Sequence, residues 1–218
     1  MVNHPTGVRK DKTRRTRQLI EECAVALFAE GAYDDVTIAE IARRANVSPA
    51  TVFNHFATKD ALIFNGLERF ERGLLDAIRH RGLQESIPQA FRTLVLTMNG
   101  SLTSVVPEQM RRLRTVAEII ESSPALLSRE QQIYGRYSDL FASLIVEQAA
   151  AHGDELQAWV IANALMGVHR ALVRHVRNAL LADTPPMQIV REVRRQASVA
   201  FAQLDRGLAG YGRREAGR

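Results

Sequence analysis

Two helix starts stand only ten residues apart in "SPATVFNHFATKDAL", Ser48 to Leu62. Ser48 before Pro49 is an N-cap with proline at the first helical position, and Thr58 before Lys59 and Asp60 opens a second helix. The helix between them has barely two turns. A helix that short is marginal in water, so longer neighbours must grip one side of it and leave the other side for use.

The neighbours are legible on both sides. "TIAE" is a capping box, in which the Thr37 hydroxyl caps the amide of Glu40 and the Glu40 carboxylate reaches back. The helix it opens turns Ile38, Ile41, Ala42 and Ala45 inward, and "ANV" leads into the helix at Ser48. Upstream, the spacing predicts a helix from about Thr13 to Glu30 that buries Leu19, Ile20, Cys23, Ala24, Leu27 and Phe28 and stops at Gly31. Downstream, a long connector helix is expected from Thr58 to His80. Apolar periodicity near 3.6 continues to the end, with Pro88, Pro107, Pro124, Gly153 and Pro185–Pro186 as punctuation, and no alternating strand run interrupts it. The expected fold is all-α, about nine helices. Residues 1–12 form a basic arm and 13–60 a three-helix helix-turn-helix domain, with the motif at about Val36 to His55. Residues 61–210 form a C-terminal helical bundle, and 211–218 a frayed tail.

With 218 residues and 46% hydrophobic content, the chain has enough apolar surface for a substantial core. Its one cysteine, Cys23, excludes an internal disulfide framework; at helical spacing with Leu19 and Leu27 it reads as a small buried apolar residue, with a redox role as the alternative. No apolar run approaches 18 residues and the N-terminus lacks a secretory pattern, so no membrane span is expected. The net charge of +5 is concentrated in the first 20 residues, where Arg9, Lys10, Lys12, Arg14, Arg15 and Arg17 face one acid, Asp11. A basic end on a neutral body is the footprint of a polyanion binder, nucleic acid before anionic membrane.

On a wheel of about 100° per residue, Pro49, Val52, Phe53 and Phe56 fall on one side of the short helix. Ser48, Ala50, Thr51, Asn54 and His55 fall on the other. That second side is small, polar and free of acid, which suits entry into a major groove, and two helices joined by a tight turn are the frame that delivers it. Arg43 and Arg44 on the preceding helix read equally as solvated residues or as phosphate contacts.

At this point the sequence resembles the TetR family of bacterial transcriptional regulators. The resemblance is carried by "TRQLIEECAVALFAEGAYDDV" and "TIAEIARRANVSPATVFNHFATKDAL" and covers about Thr13 to Leu67. It implies that Thr37 approaches phosphate, that Ser48, Pro49, Ala50, Thr51 and Asn54 face the groove, and that His55 and Lys59 hold the DNA backbone. Many members carry tyrosine at the position of Phe53 and an aromatic at that of Asn54. Phe53 brings no hydroxyl to a phosphate, so here it reads as packing more than contact, while Asn54 suits bidentate pairing with adenine.

The resemblance further implies a homodimer, formed through the last two long helices, that binds a double-stranded DNA operator in a bacterial cytoplasm. It also implies a small-molecule effector, apolar or amphipathic, held in the C-terminal bundle. Candidate effector residues are Phe91, Met98, Arg114, Tyr134, Tyr137, Phe141, Asn163, Met166, His169 and Arg170; such residues also occur as plain core. No H-E-x-x-H pair, Gly-rich phosphate loop or G-x-S-x-G elbow is present, so no enzyme, cofactor or metal site is expected. The expected function is that of a ligand-responsive repressor. The alternative is a constitutive activator or architectural helix-turn-helix protein without an effector.

Overall fold

The computed structural model describes residues 5–98, 107–148 and 154–208, the side chains of 5–10, 98, 107 and 208 excepted. Among these residues there are nine α-helices and no strand: α1 Pro5–Glu30, α2 Ile38–Arg44, α3 Pro49–His55, α4 Asn65–Arg79, α5 Ile87–Met98, α6 Pro107–Ser122, α7 Pro124–Gln148, α8 Glu155–Leu181 and α9 Pro186–Leu208. The chain forms two compact units, residues 1–66 with 115–127 and residues 67–114 with 128–218.

In the first unit α1 begins at Pro5, well before Thr13. Of its added residues Arg9, Lys10 and Lys12 are good helix formers, Pro5 stands at the first helical position, and ion pairs run from Asp11 to Arg14 (2.8 Å) and Arg15 (3.1 Å). The buried face is Ile20, Ala24, Val25 and Phe28. Leu19 is 45% exposed and Cys23 only half-buried, so the apolar stripe of α1 lies one position round from the expected one. Burial raises the Cys23 thiol above its ordinary value, which leaves it a poor thiolate.

The turn between α2 and α3 is held by Asn46 in the left-handed region (φ 51°). The amide of Asn46 donates to Arg43 O (3.2 Å) and that of Val47 to Ala42 O (2.9 Å), a Schellman pair. The second helix start behaves differently from the expectation. Residues 60–62 make only a 3₁₀ turn and α4 starts at Asn65. Leu62, Ile63 and Phe64 are all buried, and three consecutive buried residues cannot share one helical face, so the chain turns before the connector helix begins.

The second unit is built on the α8–α9 hairpin, against which α5 packs. The hairpin turn repeats the same device: Asp183 (φ 55°) and Thr184 donate to Leu180 O and Ala179 O. Phe91 stacks on Phe141 at 5.2 Å and meets Phe201 at 6.2 Å, joining α5, α7 and α9 in one aromatic column. A bidentate ion pair between Arg177 and Glu130, 11% and 15% exposed, ties α8 to α7. Among the described residues α8 alone is long and apolar enough to cross a membrane by length and composition. Counting uninterrupted apolar runs overlooks it. Its apolar residues have a place in the fold, since Ala158, Ile161, Ala162, Leu165, Met166 and Leu172 are buried.

Candidate nucleic-acid interface

Helix α3 is capped as its sequence dictates, with the Ser48 Oγ accepting from the Thr51 amide at 3.1 Å and Pro49 in the first turn. Only Val52 and Phe56 turn fully inward, 0% and 1% exposed. Pro49, Ala50 and Asn54 are exposed and Phe53 is 54% exposed, while Thr51 and His55 are half-buried. The wheel therefore placed Pro49 and Phe53 on the wrong side. Between two flanking helices only the narrow arc through Val52 and Phe56 is gripped, and Phe53 lies at its edge. The outward face is thus Ser48, Pro49, Ala50, Phe53 and Asn54, still with no acid on it.

Thr37 is exposed at the start of α2, and its capping box is complete. Its amide donates to Glu40 Oε2 at 2.7 Å, and its Oγ1 accepts from the Glu40 amide at 3.2 Å. These bonds hold the Glu40 carboxyl below its usual range. Arg43 and Arg44 are both exposed, and Arg44 makes a bidentate pair with Glu30 (2.6 and 2.7 Å) across α2 and α1.

Two cations are occupied inside the unit. The Arg17 guanidinium lies 4.2 Å over the Phe56 ring and donates to the carbonyl of His55, the last residue of α3. Lys59 donates to the carbonyls of Tyr33 and Asp34 and lies 4.3 Å over the Tyr33 ring. Burial, opposed by Asp34, Asp35 and Glu40, lowers the ammonium pKa. Burial and the nearby Arg17 lower that of His55. Sequence reasoning missed both arrangements. The partners lie 38 and about 26 residues away in the chain, and no local pattern announces them.

In the second unit the structure brings together six of the candidate effector residues, Phe91, Tyr134, Tyr137, Phe141, Met166 and His169, all buried. Arg114 pairs with Asp183 at the α8–α9 turn and is 38% exposed. Asn163 turns its amide back to Trp159 O (2.9 Å), and Arg170 lies exposed over the outer face of the Tyr134 ring. These three stand outside the core. The Met98 side chain, like those of Arg9 and Lys10, falls outside the described residues.

The family described as "Bacterial regulatory proteins, tetR family" matches residues 20–65, which span α2, α3 and the face just described. The chain is 30% identical over 144 residues to the HTH-type transcriptional regulator TcmR of Streptomyces glaucescens. Over its N-terminal region the chain is similar to the TetR family. The TcmR match covers 63% of this chain and 63% of that protein. The HTH-type transcriptional regulator BetI of Brucella melitensis is 27% identical over 175 residues, 78% of this chain and 83% of that one.

Among solved structures, the SmeT–triclosan complex overlays with a TM-score of 0.52 at 19% identity, covering 88% of this chain and 91% of that one. A TetR-family regulator from Streptomyces coelicolor A3 overlays with a TM-score of 0.51 at 18% identity, covering 87% and 96%. The all-helical fold is shared with both. The curated relatives are named as regulators of transcription. Among the described residues no cluster of three His, Cys, Asp or Glu side chains is placed to hold a metal.

Proposed function

We propose that this chain is a ligand-responsive repressor that binds a pseudo-palindromic operator as a homodimer, in the cytoplasm of a bacterium. One observation carries the DNA part of this reading. The exposed face of α3 is a row of small polar groups, Ser48, Ala50 and Asn54, flanked by the aromatic ring of Phe53 and free of carboxylate. In a major groove such a face admits Asn54 to base edges and lets the Phe53 ring meet a thymine methyl or the sugar wall. Thr37, Thr51 and His55 border it as backbone contacts. Lys59 reaches a phosphate only by leaving the carbonyls that now hold it, so its part is to brace the loop after α1.

Dimerisation is supported by a second observation. Leu156, Trp159 and Val160 on α8 and Met187 and Val199 on α9 are large hydrophobics between 45% and 69% exposed on the helix pair that builds the second unit. Large apolar side chains left exposed along a helix pair suit a two-fold pairing, and a helix-turn-helix dimer reads half-sites about one DNA turn apart, roughly 34 Å. The effector part rests on the buried, aromatic core of α4, α5, α7 and α8.

Selection of bound sites from random DNA tests the reading. Inverted half-sites should be enriched, and an unstructured pool would sink it. On the selected operator, Asn54→Ala should weaken binding by about 1–3 kcal/mol while leaving nonspecific affinity unchanged in gel-shift titrations.

A further inference from the structure

The outward side of α3 holds more apolar surface than its small polar groups suggest. At about 100° per residue, Pro49, Phe53, Ala50 and Asn54 follow one another round an arc of about 140°, all four exposed, with Val52 and Phe56 beyond Pro49 on the gripped side. The Phe53 ring, 54% exposed, lies on that arc between the positions of Pro49 and Ala50. The polar groups of the face are unequal. The hydroxyls of Ser48 and Thr51 bond to each other at 2.9 Å, and Ser48 Oγ also accepts the Thr51 amide. The Asn54 side chain makes no hydrogen bond among the described residues, so its donors and its acceptor are all in hand.

In a major groove an apolar surface has one counterpart. Guanine shows two acceptors there, adenine an acceptor and a donor, cytosine a donor, and thymine an acceptor beside its C5 methyl group. Covering a polar edge with Pro49, Ala50 or Phe53 strips its water and returns no bond, whereas the methyl gains by leaving water. The unit begins with six Lys or Arg against one acid in its first 20 residues, and no carboxylate lies on the face. These charges favour a nucleic acid over a second copy of the same basic unit.

We infer that α3 reads pyrimidine C5 methyl groups: Pro49, Ala50 and Phe53 seat the methyls of neighbouring pyrimidines in each half-site, and Asn54 pairs with an adenine beside them. Pro49 and Phe53 stand ~6 Å apart along the helix axis, against ~3.4 Å between successive bases, so the patch spans two neighbouring base pairs. A 5-methylcytosine shows the same methyl as thymine, so methylation of a cytosine at these steps strengthens binding, whereas a bare cytosine weakens it. The Phe53 ring is the discriminating group, because it brings area and no hydrogen bond of its own. This inference rests on the DNA-binding part of the reading above and names the chemical group which that part recognises.

On the operator selected from random DNA, each thymine is replaced in turn by deoxyuridine, which removes the methyl and keeps the pairing edge, and full-length protein is titrated by gel shift. At two neighbouring base pairs of each half-site the affinity should fall about fourfold per methyl. Cytosine at those positions should weaken binding further, and 5-methylcytosine should recover at least about threefold over cytosine. With Phe53→Ala, thymine and uracil operators should bind alike at the position the ring covers, while Phe53→Leu keeps a preference for thymine. Should Phe53→Ala not fold, Phe53→Leu and the uracil scan on the parent protein decide alone. An operator indifferent to every uracil, cytosine and 5-methylcytosine bound alike, or a uracil penalty undiminished in Phe53→Ala overturns the inference and leaves the repressor reading standing. A Phe53→Ala variant that loses a self-associated species and keeps the uracil penalty makes the patch a contact between copies instead. An unstructured pool with no operator defeats that reading, and this inference with it.

Discussion

Arg17 holds the C-terminal end of α3. It caps the last carbonyl of α3 and covers Phe56, the residue by which α3 is anchored. Arg17→Ala should weaken operator binding about tenfold, because α3 loses its C-terminal bond and its ring cover. The dependence on salt should stay as it is, since no phosphate charge is given up; a slope of log K against log salt reduced by about one would make Arg17 a phosphate ligand instead. His169 carries a different signature. Its folded pKa of about 4 lies below the ordinary value near 6.5, so the unfolded chain takes up the proton first as the solution is acidified. Its contribution is complete above about pH 6.5 and is lost as pH falls to 4, a drop of order 3 kcal/mol. Thermal melts across that window should show a slope that His169→Phe flattens.

At the scale of the element, Asn46 closes α2 with a left-handed residue that directs the chain into α3. Asn46→Gly should leave stability within about 0.5 kcal/mol, and Asn46→Val should cost about 1–2 kcal/mol, read by urea unfolding. Much of this level was legible from sequence. The capping box at Thr37, the Ser48–Pro49 start and the extents of α7, α8 and α9 follow from local chemistry that each segment carries within itself. What escaped was set by neighbours. The break at Leu62 to Phe64 depends on three side chains finding three separate walls. The exposure of Phe53 depends on how much of α3 its flanks cover, and the capture of Lys59 depends on carbonyls contributed by the loop after α1. Asn163, polar and at core spacing, satisfies itself on its own helix and so gives no interior group.

For the whole molecule, the large hydrophobics left exposed on α8 and α9 are the surface that the proposed dimer would cover. Val160→Glu with Trp159→Glu should yield a monomer by analytical ultracentrifugation and keep its helical content, because both side chains are about half exposed in the single chain. Operator affinity should then fall by more than a hundredfold, since one head loses its partner on the same duplex. The early start of α1 has a thermodynamic counterpart. The basic residues from Arg9 to Arg17 sit on a helix already formed from Pro5 onward, rather than on a coil that must order itself against DNA. The ordering entropy is met when the chain folds, not when it docks. Calorimetry of operator binding would then register the meeting of two finished surfaces, with a heat-capacity change set by the contact area alone and without the added increment of coupled folding.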